Sequence, residues 1–169
     1  MEVDLNALEE GLNESDWSET PEELHIENEE LDFSKPIQTH MTVFKMGESL
    51  TVSGETEFEL GMSCARCLEP FTKRMTGGFK FILQKGRPRT MEGDEDEAII
   101  WLDDAKGKID IGEQVKDYIL LEIPMNPVCR ESCTGLCPSC GQNFNLGRCD
   151  CKEEKTDPRW EALQGLASE

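Results

Sequence analysis

Basic residues are scarce in this chain: 17 lysines and arginines stand against 36 aspartates and glutamates, a net charge of −19 with a pI near 4.4. Sequence-independent duplex binding runs on cations that neutralise phosphates, so any nucleic-acid contact has to be local. Long apolar runs are missing too. The longest, 98–102 and 118–121, fall far short of the about 18 consecutive apolar residues of a membrane helix. The start, Met1-Glu2-Val3-Asp4, has neither the basic flank nor the apolar stretch of a secretory signal, and a cytoplasmic protein with no membrane partner is expected. Catalytic signatures are absent as well: there is no P-loop, no H-E-x-x-H and no G-x-S-x-G. The two histidines, His25 and His40, come with no recognisable nucleophile, so neither an enzyme nor a small-molecule substrate is expected.

At 169 residues the chain is long enough for one compact domain with tails, or one domain and a small appended module, and 37% hydrophobic residues suffice for a modest core. Residues 1–35 hold thirteen acidic side chains against Lys35 alone. Met1, Val3 and Leu5 alternate as a short strand would, and Trp17, Leu24, Ile26 and Phe33 are too apolar for a purely solvated tail. This first segment is read as partly ordered: an ordered start over 1–10, then a mobile acidic stretch over 11–35 that docks by a few side chains.

From residue 36 the period becomes two. Ile37, Thr39, Met41 and Val43 lead to a turn at Lys45-Met46-Gly47-Glu48, after which Leu50, Val52, Thr56, Phe58 and Leu60 share one face, which predicts a hairpin. A third run places Phe71, Met75, Phe79, Phe81 and Leu83 on one side, with Gly77-Gly78 read as a bulge or bend. Residues 98–102 read as a more deeply buried strand. Asp110 with Glu113 predicts a capped helix carrying Ile111, Val115, Tyr118 and Ile119 on one face and stopped by Pro124. Asp157-Pro158 predicts the start of a short terminal helix with Trp160, Leu163 and Leu166 on one side. The expected fold is α+β: an antiparallel sheet with a covering helix over 36–128, then a Cys-rich, zinc-binding loop and the terminal helix over 129–169.

Eight cysteines in a reducing compartment favour metal ligation over disulfides. Cys137-Pro-Ser-Cys140-Gly141 is the strongest local signal, because a C-x2-C turn points two thiolates inward at the ~2.3 Å Zn–S distance. Cys149 and Cys151 complete a tetrahedral set after eight intervening residues. Cys129 and Cys133 are a competing second pair, and spacing alone leaves open a six-thiolate, two-metal cluster. Cys64-Ala-Arg-Cys67 is half of a site by itself. It either joins Cys129 and Cys133 in a second tetrahedral site or packs a sheet corner as a pair of free thiols.

One stretch departs from the general acidity. Residues 66–89 contain Arg66, Lys73, Arg74, Lys80, Lys85, Arg87 and Arg89 against Glu69 alone, interleaved with Phe71, Phe79 and Phe81. Lys73, Arg74, Lys80, Arg87 and Arg89 are candidates for contact with RNA. The competing reading turns the phenylalanines into the core and pairs the cations with the acidic segment. Lys80 has the parity opposite to Phe79 and Phe81, so it should face outward.

Three separated motifs then converge: Cys64-Ala-Arg-Cys-Leu-Glu-Pro-Phe71, Cys133-Thr-Gly-Leu-Cys-Pro-Ser-Cys-Gly141 with Cys149-Asp-Cys151, and Asp157-Pro-Arg-Trp-Glu-Ala-Leu163. In kind, order and spacing they resemble the YceD family, the large-ribosomal-RNA-subunit accumulation proteins, over roughly residues 36–166. Phe144 departs from the smaller aliphatic residue expected at its place. The resemblance implies a bacterial or plastid factor, without enzymatic activity, that supports accumulation of the large-subunit (23S) ribosomal RNA. Its partner would be ribosomal RNA or a large-subunit assembly intermediate, and its metal a structural one. A redox or metal-responsive regulator acting through Cys64 and Cys67 is the rival reading, which thiol reactivity separates from bound metal.

Overall fold

The computed structural model describes residues 1–26, 31–86, 99–102 and 107–151. Strong alternation in the middle of the chain produces three long strands, β4 (Ile37–Met46), β5 (Ser49–Ser63) and β6 (Pro70–Lys85), paired antiparallel in sequence. Ile37, Thr39, Met41 and Val43 of β4, the even-numbered residues from Leu50 to Leu60 of β5 except the glycine at 54, and Phe79, Phe81 and Leu83 of β6 supply one apolar face. Lys80, between two buried rings, is exposed.

Gly77 and Gly78 do not form a bulge. The β5–β6 register runs without interruption from Ser49↔Gln84 to Ser63↔Pro70. Close approach explains one of these glycines: a Cβ on Gly77 would lie 2.7 Å from Cγ of Glu122. Across the hairpin Gly54 is tighter still, with its missing Cβ 2.5 Å from both the His40 carbonyl oxygen and the Phe79 ring. Phe79 lies opposite Gly54 in the register and fills that gap.

The segment read as a mobile acidic arm instead adds a strand. β2 (Gly11–Glu19) pairs along its whole length with β4. Its carboxylates Glu14 and Asp16 point to solvent, and Trp17 on the opposite parity packs against the core. A turn follows in which Thr20 N–H donates to Glu23 Oε2 (2.8 Å) and Glu23 N–H donates to Thr20 Oγ1 (3.4 Å). This reciprocal pair has the logic of a capping box. It carries Leu24 and Ile26 into the core, with Leu24 fully buried. β3 (Asp32–Phe33) then pairs with Gly61 and Leu60 of β5, just beyond the reach of β4.

Residues 99–102 form β7 (Ile99–Leu102), which pairs parallel to β6 as the last strand of the sheet. The sheet is therefore mixed, in the order β2-β4-β5-β6-β7. The expectation of a deeply buried strand fails here: an outermost strand leaves one flank and one face open, and Ile99 and Trp101 are 40% and 42% exposed. A separate two-stranded ribbon joins β1 (Glu2–Asp4) to β8 (Lys108–Asp110). Met1, Val3 and Leu5 are buried, as their alternation predicted.

Helix α1 (Gly112–Glu122) follows directly and buries Val115 and Ile119. It packs on β6, where Tyr118 stacks on Phe81 and its hydroxyl donates to the Lys80 carbonyl (2.9 Å). Ile111, not Asp110, holds the N-cap position, and no side chain bonds there. Asp110 is engaged in β8, yet its Oδ1 still accepts from Gly112 N–H (2.9 Å). That bond holds its carboxyl below the usual range. The expected terminal helix at 157–166 lies outside the described residues.

Candidate metal centres

The hairpin loop between β5 and β6 is built by Cys64-Ala65-Arg66-Cys67. Cys64 N–H donates to the Glu69 carbonyl (2.9 Å), and Leu68 N–H donates to the Cys64 carbonyl (2.9 Å). Residues 137–142 repeat that pattern: Cys137 N–H donates to the Gln142 carbonyl (2.8 Å) and Gly141 N–H to the Cys137 carbonyl (2.9 Å). Each turn places the residue after its second cysteine in the left-handed region, Leu68 at φ 60° and Gly141 at φ 74°. Two C-x2-C segments far apart in sequence are thus the same knuckle. Only the second carries the glycine that this conformation favours.

Each knuckle meets a second cysteine pair. Cys64, Cys67, Cys129 and Cys133 form one group, and Cys137, Cys140, Cys149 and Cys151 the other; within each, all four sulfurs lie within 4.8 Å of one another. Cys129 and Cys133 therefore side with Cys64 and Cys67 rather than competing for the first-ranked set. Two of the six sulfur–sulfur edges of the first group are 3.8 Å, between Cys64 and Cys133, and 3.9 Å, between Cys67 and Cys129. A tetrahedron with ~2.3 Å metal–sulfur bonds has an edge of about 3.8 Å. The donor set and its spacing fit a tetrahedral metal ion, and both groups could hold one.

Burial separates the two. Cys64, Cys67 and Cys133 are buried in a small cluster of their own, packed by Phe71, Val128 and Leu136. In the second group Cys140 and Cys151 are exposed and Cys137 is buried. Outer contacts hold the first group in place. Cys64 Sγ accepts from Cys129 N–H and Arg66 N–H, both at 3.4 Å, and Ala65 N–H donates to the Pro127 carbonyl (2.7 Å). Arg66 Nη1 donates to the carbonyls of Glu131 (3.1 Å) and Cys133 (3.0 Å), clamping the loop that brings in Cys129 and Cys133. Such donors favour thiolate, and the thiol of Cys64 is lowered to about 6, chiefly by the Cys129 N–H. Cys137 is lowered to about 6 by the N–H groups of Cys140 and Ser139. Burial pushes the Cys129 thiol up to about 12, and the hydrogen bond with Cys140 pushes Cys151 up to about 12.

Among the described residues the basic candidates are not brought together into one cluster. Lys73 and Arg74 are consecutive residues on β6 and so leave it on opposite faces; both are exposed. Arg74 is paired with Glu57 across the β5–β6 hairpin. Lys80 is exposed on the same face as Arg74, and Arg87 and Arg89 lie outside the described residues. Sequence reasoning passed over Asn145, whose side chain donates to Cys133 Sγ (3.3 Å) from the loop between Cys140 and Cys149. Its place inside the Cys140–Cys149 loop was the only signal available.

Fold and site together define a class: a mixed β-sheet domain with a pair of adjoining four-cysteine knuckle groups, each able to hold a metal ion, at one end of its central hairpin. The family model described as Large ribosomal RNA subunit accumulation protein YceD matches residues 52–167, which include all eight cysteines. The chain belongs to the YceD family. It is 28% identical over 148 residues to an uncharacterized protein of Mycobacterium tuberculosis, covering 88% of this chain and 70% of that protein. The protein named large ribosomal RNA subunit accumulation protein YCED homolog 1, chloroplastic, of Arabidopsis thaliana is 25% identical over 155 residues, 78% of this chain and 48% of that protein. Its counterpart of the same name in Zea mays is 29% identical over 145 residues, 69% of this chain and 49% of that protein. The chain thus spans about half the length of these plant relatives. No solved structure matches. Among the described residues no helix is long and apolar enough to cross a membrane.

Proposed function

We propose that this protein is a non-catalytic, cytoplasmic factor that supports accumulation of large-subunit ribosomal RNA, and that its two four-cysteine groups are structural zinc sites. The observation that carries the reading is that the family model described as Large ribosomal RNA subunit accumulation protein matches a region, 52–167, that contains both four-cysteine groups. Cys64, Cys67, Cys129 and Cys133 hold one zinc, and Cys137, Cys140, Cys149 and Cys151 the other. Four thiolates satisfy tetrahedral zinc with no position left for water or substrate. The partner is ribosomal RNA or a large-subunit assembly intermediate, contacted through cations of the 66–89 stretch: Lys73 and Lys80, exposed on opposite faces of β6, with Arg87 and Arg89 as further candidates.

Depletion of the protein tests the pathway: large-subunit RNA should fall relative to small-subunit RNA, and an unchanged ratio overturns it. Elemental analysis of protein purified without chelator should find about two zinc ions per chain, the number set by two closed four-ligand groups. Metal-free protein with readily titrated thiols would favour the redox reading instead. Lys73→Glu with Lys80→Glu should fold normally, because exposed charges contribute about 0–1 kcal/mol, yet fail to restore RNA accumulation. Full restoration removes Lys73 and Lys80 as the contact.

A further inference from the structure

The two metal centres are joined by one side chain. Asn145 belongs by sequence to the eight-residue loop between Cys140 and Cys149, but its amide reaches into the other group. Asn145 Nδ2 donates to Cys133 Sγ (3.3 Å) and to Asn143 Oδ1 (2.8 Å). Its Oδ1 accepts from Thr134 N–H (3.1 Å), Thr134 Oγ1 (3.2 Å) and Arg130 Nη2 (2.9 Å), all on the segment that carries Cys129 and Cys133. The loop is held further by Phe144 N–H on the Gly135 carbonyl (2.9 Å). Only three residues, Thr134 to Leu136, separate Cys133 of one group from Cys137 of the other.

We propose that the two groups take up metal cooperatively and that Asn145 is the positioning residue that couples them; this rests on the zinc reading above. A metal held by Cys140 and Cys149 closes the 141–148 loop at both ends and removes most of the entropy of placing Asn145. The placed amide then supplies a hydrogen bond to a thiolate of the buried group. Partners of this kind change metal affinity by about 10–100-fold when removed. Linkage makes the effect reciprocal: metal in the buried group favours the loop conformation that closes the outer one.

The test uses the full chain and zinc or cobalt(II) as probes. Native mass spectrometry of the metal-free protein with one equivalent of zinc should show mainly metal-free and two-metal species. Asn145→Asp keeps an acceptor towards Thr134 and Arg130 and loses the donor to Cys133. It should retain metal in the outer group, weaken the buried group about 10–100-fold in chelator competition, and accumulate the one-metal species. Loss of the hydrogen bond makes the Cys133 thiolate a stronger donor, so the sulfur-to-cobalt charge-transfer band of the buried group should move to longer wavelength. The double variant Cys137→Ser with Cys140→Ser, which disables the outer group while leaving Asn145 in place, should weaken the buried group as well. Unchanged affinity of the buried group in both variants overturns the coupling alone, as does a statistical mixture of one-metal and two-metal wild-type protein. A wild-type chain that takes up no metal overturns both the coupling and the zinc reading.

Discussion

Raising pH should tighten metal binding steeply, and the structure sets a lower bound on the slope. A cysteine must lose its proton to become a metal ligand. Cys64 and Cys137, lowered to about 6 by backbone N–H donors, are already thiolates at pH 7.5. Cys129 and Cys151, pushed up to about 12, are still thiols and must release a proton when metal enters. Each group therefore gives up no less than one proton, two for the chain. Every proton released makes binding about tenfold tighter per pH unit. Between pH 6.5 and 8.5 each group should gain at least about a hundredfold in affinity. Chelator competition across that range reads the slope, and calorimetry in buffers of different ionisation enthalpy counts the protons directly. An affinity flat with pH, or a proton count of zero, would refute the reasoning, because it would mean that all eight thiols are ionised before metal arrives.

Gly54→Ala should destabilise the fold by about 1–3 kcal/mol, as overpacking does, because its Cβ meets the His40 carbonyl oxygen and the Phe79 ring at 2.5 Å. Gly78→Ala, with nothing nearer than 3.9 Å, should be neutral or stabilising by up to about 1 kcal/mol; equal urea midpoints for the two variants would contradict this. Leu68→Gly should stabilise the first knuckle by about 1 kcal/mol, since Leu68 is 66% exposed and held at φ 60°; a lowered midpoint counts against strain there. His40 should titrate above its ordinary 6.5, because its hydrogen bond to Asp16 favours the charged ring. Its contribution to stability is full below 6.5 and is lost as pH rises through the folded value. Asp16→Asn should return the NMR titration towards 6.5, and an unmoved midpoint would reject the pairing.

The central hairpin and its inner face were legible in sequence because alternation was nearly unbroken from Ile37 to Leu83. β2 was not legible, because its inward positions carry Asn13, Ser15 and Glu19, with Trp17 the one large apolar side chain among them. Pairing with β4, not burial of its own side chains, makes it a strand. β7 misled in the opposite sense: Ile-Ile-Trp-Leu reads as core, but parallel pairing at the end of the sheet leaves half of it open. At the metal centres spacing suggested the outer group, whose four cysteines lie within 15 residues, but left Cys129 and Cys133 as a competing pair. The inner group spans 70 residues, and its closure depends on the β5–β6 hairpin presenting Cys64 and Cys67 to a loop that follows α1. Leu68 also disguised the first knuckle by standing where its twin has glycine.

The length of that hairpin has a consequence for how the molecule can be engaged. β5 has 15 residues and β6 has 16, and at about 3.3 Å per residue they form a ribbon roughly 45 Å long. Phe44, Met46 and Trp101, all substantially exposed, lie near the β4–β5 turn at one extremity, and both cysteine groups lie beyond the other. A partner whose extent is less than about 45 Å cannot touch both. For such a partner the hairpin presents two separately addressable tips. A lesion at one tip should impair one contact and leave the opposite contact measurable in the same molecule.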